Sequence, residues 1–257
     1  MFYSEWNGTI YLLSIKEEKT MLNISHLTKC YGDKKAVDDL SLHIAPGEIY
    51  GFIGHNGAGK TTTLKSVVGI LQFDSGEITI DGHSIQSEPL ECKKALAYIP
   101  DNPDLYEYMT GLQYLSFLAD VFAVSALERQ ERIEKYAAMF ELTDDLGQPI
   151  ASYSHGMKQK LAIIAAWIHD PKLIIMDEPF VGLDPKASHL LKGMMREVCD
   201  QGGAIFFSTH VLEVAEKLCD KVAIIKGGKL IRSGTMEEVK GDDSLEEVFL
   251  ELEGESC

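Results

Sequence analysis

The residues best suited to chemistry in this chain lie in one short run. Residues 54–61, "GHNGAGKT", match the pattern GxxxxGK[ST] in full. Gly54, Gly57 and Gly59 let successive backbone N–H groups curl round a phosphate with no Cβ in the way. Lys60 is placed to reach the β- and γ-phosphates of a nucleotide, and Thr61 to offer a hydroxyl to Mg²⁺. Some 115 residues later, "LIIMDEP" (173–179) ends an apolar run on two acids. A carboxylate at the end of a buried strand is costly unless something binds it. Asp177 is therefore expected to share a Mg²⁺ with Thr61. Glu178 is expected to face the γ-phosphate and take a proton from attacking water. The next apolar run ends in "STH" (208–210), which brings His210 to the same edge. Tyr31, in "KCYGDKKAV", is an aromatic available to stack on an adenine ring.

Such groups meet only if strands and helices carry them to one edge. Strand-like runs lie at 21–27, 36–44, 47–54, 76–82, 95–100, 172–178, 203–209 and 221–231. "LIIM" and "AIFF" are unbroken apolar runs, as expected of strands covered on both faces of a parallel sheet. The early runs alternate, which suits antiparallel, half-exposed pairing. Helical periodicity marks 60–71, 111–123, 126–140, 157–169, 186–200, 211–218 and 245–252. Residues 102–170 hold three helical patterns and no strand, so they read as an all-helical insertion in an α/β core.

"ASYSHGMKQKLAIIAAWIHDP" (151–171) has a small polar loop feeding a helix that Ser154 can cap. A helix start of this kind is a second anion site. The rest of the composition excludes more than it assigns. The 257 residues are 45% hydrophobic and 25% charged, and the longest strongly apolar run, "LAIIAAWI", is far too short to cross a bilayer. With 24 basic and 40 acidic residues, net charge −16, no basic face for nucleic acid stands out. Five scattered cysteines without a CxxC pair read as free thiols.

In order and spacing, these motifs resemble the nucleotide-binding subunit of ABC transporters over residues 21–240. The sequence runs through an aromatic loop (Tyr31), Walker A (54–61), a signature loop at "YSHGM", Walker B (173–178), the D-loop "GLDP" (182–185) and the switch His210. The resemblance implies a P-loop NTPase (RecA-like) α/β core with a small antiparallel β-subdomain and the helical insertion. It implies ATP and Mg²⁺ as ligands. Gly54, His55, Asn56, Gly57, Ala58, Gly59, Lys60, Thr61 and Thr62 would cradle the phosphates. Glu178, His210 and Lys60 would be the catalytic groups. It also answers why a second anion site exists. Two such subunits, a second copy or a sister ATPase, pair head to tail, so Ser154, His155 and Gly156 would meet the γ-phosphate held by the partner's loop, with Asp184 at the same interface. Asp101 stands where the family carries its Q-loop glutamine. A carboxylate there can still bind Mg²⁺ or its water, but it cannot donate a hydrogen bond as an amide does.

The same resemblance implies separate integral membrane permease subunits at the cytoplasmic face of the membrane. "LQYLSFLADVF" (112–122) would line their groove. The acidic tail 241–257, "SLEEVFLELEGES" in its core, resembles ATPases paired with ABC-2-type export permeases, with Phe249 and Leu250 docked on the core. The alternative is a soluble, non-transport ATPase of the same family. Residues 1–20 are expected to be an extension ahead of Met21.

Overall fold

The computed structural model describes residues 5–6, 9–10 and 20–254. Most of the 1–20 extension expected from the sequence therefore lies outside the described residues. A six-stranded sheet forms the centre. Its strands, in chain order, are β3 (Ile49–Ile53), β6 (Leu96–Ile99), β7 (Leu173–Asp177), β8 (Ala204–Thr209), β9 (Lys221–Lys226) and β10 (Lys229–Thr235). Their spatial order is β10-β9-β3-β8-β7-β6, all parallel except the β9–β10 hairpin. β3, β7 and β8 are buried at every residue, which is why their sequences show no alternation.

A second, antiparallel sheet has the order β2-β1-β4-β5, from β1 (Leu22–Tyr31), β2 (Lys34–Ile44), β4 (Ser75–Ile80) and β5 (His83–Ser84). Near its end, β2 alternates buried Leu40, Leu42 and Ile44 with exposed Ser41 and His43, so one face packs and the other is solvated. Helices α1 (Lys60–Val67), α2 (Pro89–Ala95), α3 (Gly111–Val121), α4 (Ala126–Met139), α5 (His155–Trp167), α6 (Pro185–Asp200), α7 (Leu212–Leu218), α8 (Met236–Lys240) and α9 (Leu245–Gly254) complete the chain. Between β6 and β7 every regular element is helical. Capping boxes at Thr110 and Ser125 start α3 and α4 by satisfying N–H groups that no helical carbonyl reaches.

Two expectations need correction, and two helices were not foreseen. The run 221–231 is two strands, because Gly227 and Gly228 both take positive φ and turn the chain back on itself. α2 and α8 each bury one side chain, Cys92 and Val239, and the sequence reading passes over both. Leu250 does not dock on the core: it is 62% exposed, while Phe249, one residue earlier on the helix, is 7% exposed. Among the described residues no helix is long and apolar enough to cross a membrane.

Candidate functional site

The strand order sets the site. β3 ends at Ile53 and runs into the 54–61 loop, and β7 and β8 end beside it on the same edge of the sheet. Gly59, at φ 114, precedes the first turn of α1. A Cβ there would lie 2.4 Å from the Ala36 carbonyl, so only glycine fits. The first turn of α1 holds no acid, which leaves its N–H groups to face an anion.

Around this loop lies a cleft of 450 Å³ lined by Tyr31, His55, Asn56, Gly57, Gly59, Lys60, Thr61, Thr62, Asp101, Asp177 and Glu178. Most residues expected to bind nucleotide or metal thus meet in one place. Lys60 is 6% exposed, and its ammonium donates to the carbonyls of Gly54 and His55. It also lies 3.6 Å from Glu178 Oε1. Asp177, 1% exposed, accepts from Thr61 Oγ1 at 2.6 Å and from Ser208 Oγ. Its charge is thus stabilised by two hydroxyl donors.

Glu178 has φ 48, a left-handed conformation unusual outside glycine. Its N–H donates to the Ser208 carbonyl at 3.2 Å and lies 3.1 Å from Ser208 Oγ. These bonds hold the strained turn and aim the side chain. Oε2 sits 2.9 Å from His210 Nδ1, and Oε1 is buried with no hydrogen-bond partner. Tyr31 is half exposed, with the Lys29 ammonium 5.5 Å from its ring centre. A cation on one face leaves the other available for a base.

Ser154, His155, Gly156 and Asp184 do not line this cleft. Ser154 caps α5, accepting from Met157 N–H at 3.3 Å, and the helix opens at His155, two residues earlier than the sequence suggests. The His155 ring lies against Gly182 closely enough to leave no room for a Cβ there. Asp184 caps α6 through Ala187 N–H at 2.8 Å and pairs with Lys160 at 2.8 Å. The hydrogen bond to Lys160 holds its carboxyl below the usual carboxylate range. Within one subunit the close approach of His155 and Gly156 to Gly182 and the Lys160–Asp184 pair tie the start of α5 to the 182–185 loop.

The sequence reading missed several residues that build or line the cleft. Ser208 is in the quoted "STH", but its role appears only from strand register, which sets it directly opposite Asp177. Lys34, Lys35, Ala36, Gly227 and Gly228 also line the cleft, contributed by two hairpins that no motif covers. Gly228 joins them, donating to the Ala58 carbonyl and accepting from Asp38 N–H, both at 2.8 Å.

A second groove, of 310 Å³, lies between β6 and the helical insertion. Tyr98, Pro100, Leu105, Tyr114, Leu118 and His169 are among its walls. Burial pushes the Tyr114 hydroxyl up to about 12 and holds His169 below its ordinary value. Of the run 112–122, Leu115 and Ala119 are core, Tyr114 and Leu118 face the groove, and Leu112, Phe117 and Val121 are exposed.

Known proteins carry the same combination. The profile of the family described as "ABC transporter" matches residues 37–181. The ABC-type transporter ATP-binding protein EcsA of Bacillus subtilis is 33% identical over 93% of this chain and 98% of its own. The linearmycin resistance ATP-binding protein LnrL of the same organism is 33% identical over 85% of this chain and 70% of its own. A solved ATP-binding subunit of an ABC transporter superposes with a TM-score of 0.88 at 35% identity, over 91% of this chain and all of that one. With a P-loop NTPase fold, a phosphate loop faced by the two acids at the end of β7, and a relative and a solved subunit matched along nearly their whole length, the chain belongs to the ABC transporter family as an ATP-binding, ATP-hydrolysing subunit.

Proposed function

We propose that ATP is hydrolysed at the cluster of Lys60, Asp177, Glu178 and His210, and that two ATPase subunits pair to drive export through separate integral membrane permease subunits from the cytoplasmic face. The observation that carries the catalytic part is the Glu178 carboxylate. One oxygen rests on His210, while the other is buried, accepts no hydrogen bond and lies 3.6 Å from the Lys60 ammonium. That second oxygen is the general base, taking the proton of the attacking water. Lys60 neutralises charge developing on the γ-phosphoryl group, and His210 keeps the carboxylate aimed. Tyr31 stacks on the base.

Thr61, Asp177 and Asp101 supply hard oxygen donors, the set Mg²⁺ prefers, and the buried Asp177 charge fits a cation at this point. They would hold Mg²⁺, whose chemistry there is to offset phosphate charge. Ser154, His155 and Gly156 would face the partner's ATP, together with Asp184, at a two-fold interface. The groove beside β6 would take a permease segment, with the Tyr106, Tyr108, Tyr114 and Phe117 rings at its mouth. The tail and the relative named for linearmycin resistance support the outward direction.

Glu178→Gln tests the reading. The amide cannot act as base, so ATP should persist and hold a closed pair. Size exclusion with light scattering should show a dimer only with MgATP. A monomer throughout, with ATP demonstrably bound, would refute self-pairing through the Ser154–Gly156 loop.

A further inference from the structure

The tail helix reaches the phosphate loop. Ser244 starts α9 firmly: its hydroxyl accepts from Glu247 N–H at 3.2 Å, and the Glu247 carboxylate accepts from Ser244 N–H at 2.9 Å. Leu245, Val248 and Phe249 form the buried face of the helix. At the far end, Lys226 Nζ donates to the Leu252 carbonyl at 3.0 Å, a cation at the negative end of the helix dipole. Lys226 is the last residue of β9, and Ile225 before it lies against Gly54 and Gly59.

The decisive contact is aromatic. The Phe249 and His55 rings meet at 4.9 Å and 61°, an edge-on pair. His55 is the second residue of the phosphate loop and lines the nucleotide cleft. Its carbonyl accepts from Ala58 N–H at 3.1 Å and from Lys60 Nζ at 3.4 Å. One residue thus presents its ring to the tail and its main chain to the lysine that serves the phosphates.

We infer that α9 is a working part of the ATP site, with Phe249 as a positioning residue that fixes the phosphate loop through the His55 ring. The inference rests on ATP occupying the 54–61 loop. Because coupling is reciprocal, ATP must steady the tail as much as the tail steadies the loop. Aromatic pairs of this geometry contribute enough to change an equilibrium about 2- to 10-fold. That range is the ceiling for the effect on ATP affinity.

The test is equilibrium binding of MgATP to the full chain by calorimetry. Phe249→Leu keeps the buried apolar volume and removes the ring, so it is expected to fold and to weaken binding by about 2- to 10-fold. His55→Ala should weaken binding similarly, and the double variant should be no weaker than His55→Ala alone. Leu250→Ala, on the exposed side of the same helix, should bind as the parent does. Amide exchange across Leu245–Gly254 should slow on adding MgATP in the parent and not in Phe249→Leu. Parent-like affinity in Phe249→Leu, additive losses in the double variant, or tail exchange indifferent to ATP would each overturn the inference. Lys60→Ala separates this from the reading beneath it. If Lys60→Ala loses ATP while Phe249→Leu does not, only the role of the tail fails. If Lys60→Ala binds as the parent does, the site itself is misassigned.

Discussion

Ser208→Ala should be one of the most damaging single-atom changes at the edge of the central sheet. Ser208 is fully buried, and its hydroxyl donates to Asp177 while lying 3.1 Å from Glu178 N–H. Removing that oxygen leaves one Asp177 oxygen without its donor and loosens a turn held at φ 48. A hydrogen bond to a buried charged group contributes about 1.5–3 kcal/mol. For a chain of this size each kcal/mol moves the melting temperature by about 2–4 °C, so the expected drop is about 3–12 °C. Catalysis should suffer separately, because Glu178 loses part of what aims it. A loss of about 1.4 kcal/mol in the transition state is a tenfold fall in kcat. KM for ATP should move less, since the phosphate loop is untouched. Differential scanning calorimetry and steady-state phosphate release read the two effects independently. A variant that melts with the parent and turns over at the parental rate would refute the claim that Ser208 organises both acids.

Three further outcomes are expected. Gly59→Ala, at φ 114 with its Cβ 2.4 Å from the Ala36 carbonyl, should cost about 1–3 kcal/mol in denaturant unfolding and abolish tight ATP binding in calorimetry. Desolvation holds the folded His169 below its ordinary value, so the unfolded chain binds the extra proton first. Stability should therefore be full above about pH 6.5 and fall as pH drops from there toward the lower folded value. Urea titrations should show that slope and show it reduced in His169→Gln. Tyr106→Asp, which puts a charge into the stack with Tyr108, Tyr114 and Phe117, should remove stimulation of ATP hydrolysis by membranes carrying the permease. Unchanged stimulation would count against that surface as the docking site.

The phosphate loop was legible because its chemistry demands fixed residues at fixed spacing: glycine at 54 and 59, then Lys60 and Thr61. β7 and β8 were legible for a different reason. Burial on both faces leaves "LIIM" and "AIFF" no freedom to be polar. What escaped notice depends on contacts remote in the chain. Ser208 matters through its register against Asp177, 31 residues away. The Gly227–Gly228 turn matters because it lands on Ala58. Leu250 and Phe249 are adjacent and both apolar, so composition alone could not say which one faces the core. α2 and α8 each bury a single side chain, Cys92 and Val239, so neither shows the apolar stripe that Leu212, Ala215 and Leu218 give α7.

The two bonds at Gly228, one to the phosphate loop and one to β2, have a mechanical consequence. They weld the antiparallel sheet, which carries Tyr31, to the strand edge that carries Lys60. A nucleotide set on Tyr31 and Lys60 would then be held at both ends by one body, its two sheets bonded together through Gly228. The chain enters the helical insertion after β6, where Asp101 stands, and leaves it before β7, and the Lys160–Asp184 pair ties α5 of the insertion to the loop that follows β7. A push delivered at the γ-phosphate end would reach the insertion through Asp101 and the Lys160–Asp184 pair, while the grip on the base would be left in place.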